Sequence, residues 1–252
     1  MKAIKLLHKK LSAACPDMHD MRLKALLAGV TSASTEHQVT VTGLGRNLKS
    51  CSKTHTKHDI KRMDRLIGNA YLHAERKAIY QYLSKQLIGQ QKHPVLIADW
   101  SPLPGNEIFQ LLRMSIPMGG RSLTLFEACF KEKKLNNTQV HDLFLDELEG
   151  ILPEGCQPII LSDAIFKTLW FKTIEAKGWY WVGRVRGNVQ LSLDGETFKG
   201  CTHIMKQATK KPTGLGTVLY SKSTRFPCQG VLYHGTEKGK HKKKAWRYFS
   251  RY

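Results

Sequence analysis

Two short apolar runs each end in an aspartate: Pro94-Val95-Leu96-Ile97-Ala98-Asp99 and Pro158-Ile159-Ile160-Leu161-Ser162-Asp163. Four or five apolar residues without alternation predict strands buried on both faces of a sheet. A carboxylate ending such a strand stands at the carboxyl edge, where open α/β sheets place their sites. If the two strands lie side by side, Asp99 and Asp163 come together. Two adjacent carboxylates repel unless a cation sits between them, and hard divalent ions such as magnesium favour all-oxygen ligands. Taken singly, Asp99 opens a turn before Pro102 and Asp163 caps the following helix, since aspartate is a preferred turn and cap residue. The repetition of the design in a basic chain weighs towards a metal.

The chain has 252 residues, 40 Lys plus Arg and 20 Asp plus Glu, a formal net charge of +20. Such an excess points to a polyanionic partner, and nucleic acid is the usual one. The charge is uneven. Residues 1–92 hold 17 basic and 6 acidic side chains, residues 93–152 hold 5 and 8, and residues 153–252 hold 18 and 6. The dip surrounds Asp99, as suits a metal centre between basic surfaces. The six cysteines have no CxxC spacing, which excludes the common zinc modules. Their scatter, without a signal peptide, predicts reduced thiols in a cytoplasm. No apolar stretch has the length of a membrane span.

The elements that must position the aspartates follow from periodicity. Residues 1–92 read as helices forming an all-α domain. Ile4, Leu7 and Leu11 mark the first, and Met21 to Leu27 a second that ends near Gly29. Gly43 to Leu48 is a short element capped by Thr42. A polar link over residues 49–55 leads to a helix from Thr56, in which Ile60, Met63 and Ile67 form the apolar face and Lys61, Arg62 and Arg65 a basic one. A last helix covers about residues 75–88. A short helix, a turn and a basic helix fit a helix-turn-helix-like DNA reader; the bland alternative is a bundle with a solvated basic face.

From His93 the rhythm becomes that of strands. Gly119-Gly120 separates two strand-like runs as in a hairpin. An amphipathic helix over residues 136–152 precedes the second aspartate strand, and a helix over 166–176 and an aromatic strand near 179–186 follow. This order predicts the mixed sheet of the ribonuclease H-like fold, with the aspartate strands parallel and adjacent. Residues 93–188 are therefore read as the catalytic core. Residues 189–252 read as short strands with turn signals at Asp194-Gly195 and Gly214-Leu215-Gly216, then a basic tail.

The runs Ile97-Ala98-Asp99-Trp100-Ser101, Gly120-Arg121-Ser122-Leu123-Thr124-Leu125, Leu161-Ser162-Asp163-Ala164-Ile165-Phe166-Lys167 and Gly178-Trp179-Tyr180-Trp181 through Arg184-Val185-Arg186-Gly187 resemble the insertion-sequence-four family of bacterial DDE transposases. Leu44-Gly45-Arg46-Asn47-Leu48 and Lys57-His58-Asp59-Ile60-Lys61-Arg62 resemble it too, so the likeness spans the chain in order. It implies a cut-and-paste enzyme acting on the ends of its own element, with Asp99 and Asp163 as the first two carboxylates of a catalytic triad holding two Mg²⁺ or Mn²⁺ ions. Arg46, Lys57, Arg184 and Arg186 join Lys61, Arg62 and Arg65 as DNA-contact candidates. The implied partners are duplex DNA, at element ends and target, and a second protomer; the implied location is the bacterial cytoplasm, at the nucleoid.

The third carboxylate of that family is a Glu on a helix beyond a β-rich insertion. After Asp163 the acidic residues here are Glu175, Asp194, Glu196 and Glu237, and none lies in the family's setting. The expectation is that the chain stops inside the insertion, as a truncated or frameshifted gene or a partial polypeptide would. Two alternatives follow: a DNA-binding protein that competes for element ends or pairs with a full-length transposase, or a nuclease that recruits Glu127 or Glu175. Glu127 enters because it lies on the third strand, which in this order flanks the first; as a bland alternative it is an edge-strand surface charge.

Overall fold

The computed structural model describes residues 2–35, 39–48, 54–103, 108–187, 189–234 and 247–251. Part of the expected polar link, at 49–53, and the stretch 235–246, with Glu237 and most of the basic tail, lie outside the described residues. The chain divides into two compact units, Met1–Gln86 and Leu87–Tyr252.

The described residues of the first unit are helical: α1 (Lys2–Ala14), α2 (Asp20–Thr35), α3 (Val41–Asn47), α4 (Thr56–Ile67) and the start of α5 (Ala70–Ile88). Leu11, Cys15, Met18, Leu23 and Leu27 form one buried cluster, against which Ile4, Leu7, Ile79 and Tyr82 pack. Leu44, Leu48, Met63 and Leu66 form another. Three local expectations are corrected. α2 continues through Gly29 to Thr35; a Cβ at Gly29 would meet Met63 Sδ at 3.4 Å, an ordinary packing contact. The cap of α3 is Thr40, not Thr42: its Oγ1 accepts the Gly43 N–H at 3.0 Å. The inward face of α4 is Asp59, Met63 and Leu66, and Ile67 is exposed. The helix is rotated from its expected phase because Gly45 admits the α4 backbone beside Ile60; a Cβ there would meet Ile60 Cα at 2.4 Å.

The second unit is built on β1 (Val95–Pro102), β2 (Phe109–Met118), β3 (Arg121–Lys131), α6 (Thr138–Glu149), β4 (Ile159–Ser162), α7 (Thr168–Ala176), β5 (Tyr180–Arg184), β6 (Gln190–Ser192), β7 (Phe198–Gly200), β8 (Thr213–Tyr220), β9 (Phe226–Leu232) and β10 (Arg247–Arg251). The sheet order is β3-β2-β1-β4-β5-β10-β9-β8-β6-β7. β4 is parallel to both β1 and β5, and β2 is antiparallel to β1 and β3. This first half is a mixed α/β arrangement that fits a ribonuclease H-like fold. Asn137 caps α6, accepting the Val140 N–H at 3.2 Å.

Leu96, Ala98 and Trp100 of β1 and Ile160 and Ser162 of β4 are buried, while Val95, Ile97, Ile159 and Leu161 are only half-buried. The apolar runs are thus fully covered on one face, not on both as expected. Covering that face, Phe126 meets Phe144 of α6 with ring centroids 4.8 Å apart, and Phe171 of α7 stacks on Trp181 of β5 at 4.1 Å. Two further readings are corrected. Gly214-Leu215-Gly216 is a bulge within β8, with Gly216 at φ +70°, rather than a turn. The end of the expected basic tail is a strand, β10, which pairs with β5 and β9 and makes one ten-stranded sheet.

Candidate active site

The two aspartates belong to one row of the sheet. The last pair between the parallel strands β1 and β4 is Ala98 with Ser162. Asp99 and Asp163 are the next residue on each strand. Because side chains alternate along a strand, both leave the face opposite the buried Ala98 and Ser162. Asp99 is exposed, and Asp163 is half-exposed just past the end of β4.

Each carboxylate is oriented locally. Ser101, two residues on and therefore on the same face, donates its hydroxyl to Asp99 Oδ2 at 2.6 Å. Asp163 Oδ1 accepts the Ile165 N–H at 2.8 Å, an Asx turn that ends the strand and aims the side chain. The Arg186 guanidinium lies 3.6 Å from Asp163 Oδ2. Arg184 follows Gly183, the partner of Ser162 on β5, and so continues the same row.

The strand ends are anchored from behind. Trp100, next to Asp99, donates its indole N–H to His141 Nε2 of α6 at 3.2 Å. Ser162, just before Asp163, accepts the Trp170 indole N–H of α7 at 2.9 Å. The His141 and Trp170 rings meet edge to face, 5.0 Å apart. Burial holds the His141 imidazole well below its ordinary 6.5, at about 4, against the opposing charge of Asp142. It is neutral at physiological pH and accepts from Trp100. Sequence reading missed this network; the signal it had was an aromatic or hydroxyl residue beside each aspartate.

The expected extra ligands are elsewhere. Glu127 is on β3, which pairs with β2 and not with β1, so its strand does not flank the first as expected. It is bonded to Arg113, with Nε 2.9 Å from Glu127 Oε2. Glu175 of α7 accepts the Trp181 indole N–H at 3.0 Å, on the helix-covered side. Asp194 accepts the Glu196 and Thr197 amides and the Ser192 hydroxyl, which hold its carboxyl below the usual range and close a turn. Among the described residues, no group of three or more His, Cys, Asp or Glu is placed to hold a metal. Burial pushes the Cys228 thiol up to about 12. A hollow of about 650 Å³, lined by His141, Lys167, Trp170 and Lys222 among others, includes neither aspartate.

In the first unit, Lys61, Arg62 and Arg65 line a shallow depression of about 450 Å³ with His19, Arg22 and His58. Arg22 is held by both oxygens of Glu75, at 2.7 and 2.5 Å. Lys57 and Arg46 are exposed, on α4 and at the end of α3.

Residues 90–248 match the family model of the transposase DDE domain. That span is more than half of the chain. The chain belongs to the DDE transposase family. As a DDE transposase it is an enzyme of DNA recombination and transposition. No curated protein gives a significant match to the chain. Among solved structures, it is similar to a variant of endonuclease V from Ciona intestinalis in complex with inosine-containing DNA, at 12% identity, over 73% of this chain and 83% of that one, with a TM-score of 0.32. Among the described residues, no helix is long and apolar enough to cross a membrane.

Proposed function

We propose that this DDE transposase acts on the ends of an insertion sequence by divalent-metal phosphoryl transfer, the cut-and-paste route that the likeness to the insertion-sequence-four family implies. The observation that carries the reading is the placement of Asp99 and Asp163 one step beyond the same rung of two parallel strands. Their donor set is hard oxygen on an open face, which suits Mg²⁺ or Mn²⁺ with part of its shell left to water. Asp99 and Asp163 would hold the ion. When bound, it supplies Lewis-acid stabilisation of phosphoryl oxygens and activation of water or a 3′-hydroxyl.

The protein's own residues do the rest. Ser101 and the Asx turn fix the two carboxylates. Arg186, exposed and beside Asp163, would reach a DNA phosphate, and Arg184 would join it. The helical unit, residues 1–92 in the domain reading, binds duplex DNA through Lys57, Lys61, Arg62, Arg65 and Arg46. A second protomer at the paired ends completes the assembly.

Within these 252 residues the described acids beyond Asp163 are committed to other contacts or lie apart, which supports the reading that the third carboxylate is not among them. The polypeptide alone is expected to bind element-end DNA without cutting it. Joining it in frame to the family segment that carries the third carboxylate is expected to restore cleavage, and Asp99→Asn to abolish it again. Robust cleavage by the 252-residue chain, lost on Glu127→Gln, would overturn this reading. The same commitments favour a second role, as a DNA-binding protein that competes for element ends with a full-length transposase.

A further inference from the structure

Three charged residues cross the sheet in one row. Arg113 of β2 is the Cα partner of Asp99 on β1 and of Glu127 on β3. Directly opposed residues of antiparallel strands share a face, with Cβ atoms about 5 Å apart. Arg113 therefore has a carboxylate on each side and a side chain long enough to serve either. Its Nε–H donates to Glu127 Oε2 at 2.9 Å. Asp99 instead accepts from Ser101. The other aspartate has no such arrangement: Arg186 stands 3.6 Å from Asp163 itself.

We propose that Glu127 is a positioning residue: it holds Arg113 away from Asp99 and so keeps the Asp99 carboxylate open to a divalent cation. The inference rests on the reading of Asp99 as a metal ligand. A guanidinium turned onto Asp99 would occupy its oxygens through charge-assisted hydrogen bonds. It would also set a positive charge where the metal must bind, and like charges at such range repel. The Arg113–Glu127 pair is about one-third to two-fifths exposed, at 43% and 34%, so the effect is that of a surface pair. Glu127, considered from sequence as a ligand, thereby acts through Arg113 instead.

Mn²⁺ affinity of the 252-residue chain is measured by the loss of the free-ion electron paramagnetic resonance signal. Glu127→Gln is expected to weaken binding about five-fold, the scale of one exposed ion pair. Arg113→Met is expected to bind as wild type, and Glu127→Gln with Arg113→Met to return to that level. Unchanged affinity in Glu127→Gln overturns the proposal. So does a double variant as weak as Glu127→Gln, which would make Glu127 a direct ligand. A second arm needs no metal. The ¹⁵N resonance of Arg113 Nε is expected to ignore Asp99→Asn in the wild type and to move with Asp99→Asn once Glu127 is Gln. Insensitivity in that background overturns the diversion. If the wild type binds no Mn²⁺, the metal reading of Asp99 fails by itself, and the resonance still decides whether Glu127 diverts Arg113.

Discussion

Asp99 and Asp163 stand one residue beyond the same rung of the parallel pair β1–β4, on the sheet face opposite the buried Ala98 and Ser162. Parallel pairing fixes this relationship more firmly than any loop would, because a one-residue slip of β4 would turn Asp163 to the buried face. Asp99→Asn and Asp163→Asn should therefore each lower Mn²⁺ affinity at least about ten-fold while leaving the fold intact, since removing one of two carboxylates halves the anionic donor set. Calorimetric titration checks affinity and circular dichroism checks folding. Affinity unchanged in both variants would remove the metal centre from this part of the sheet.

DNA affinity should be governed by phosphates. Neutralising roughly six of them gives a slope of about −5 for log affinity against log salt. Lys61→Ala, Arg62→Ala and Arg65→Ala together should weaken binding and flatten the slope by up to about 3, because all three line one depression of the helical unit. Fluorescence anisotropy on duplex DNA across a salt series reads both. A triple variant that binds with the wild-type slope would leave this face merely solvated.

Two glycines leave little room for a side chain. At Gly45 a Cβ would strike the backbone of Ile60 at 2.4 Å, and at Gly183 it would meet the Phe171 ring at 2.5 Å. Gly45→Ala should cost about 1–3 kcal/mol or more, because backbone cannot step aside as a side chain can. Gly183→Ala should cost less where Phe171 can turn, at the expense of its stack on Trp181. Denaturant melts rank the two, and Gly183→Ala being the more damaging would show that the α3–α4 crossing relaxes more easily than the aromatic layer.

The order of elements was legible in the chain because the period of its apolar residues changes at His93 and because Gly119-Gly120 and Pro158 punctuate it. The aspartates were legible for the same reason: each closes a short apolar run. What was not legible depends on contacts between distant residues. The phase of α4 follows from Gly45, and Thr42 and Thr40 are equally good caps in composition. Glycines in a bulge such as Gly216 look like glycines in a turn. Ile97 and Leu161 read as doubly buried, yet the open face leaves them half-covered. That Arg113 stands between Glu127 and Asp99 needed the strand order, which sets β2 beside β1 and puts β3 one place further out.

Acid should loosen the anchor behind the aspartates. His141 is neutral in the fold, with its imidazole at about 4 against an ordinary 6.5, because burial disfavours the charged ring. The unfolded chain therefore binds more protons than the folded one between those values, so stability rises with pH across that window. Its contribution is fully present above 6.5 and is lost as pH falls to about 4, a total of about 3 kcal/mol. Protonation also turns Nε2 from an acceptor into a donor, which breaks the bond from Trp100 and frees the strand end that carries Asp99. His141→Gln keeps an acceptor for Trp100 and removes the titration. Its stability, measured by denaturant at pH 7 and at pH 4, should fall by about 3 kcal/mol less than that of the wild type. An equal fall in both proteins, or an imidazole titrating near 6.5 by nuclear magnetic resonance, would show that His141 is not the acid-sensitive element of this site.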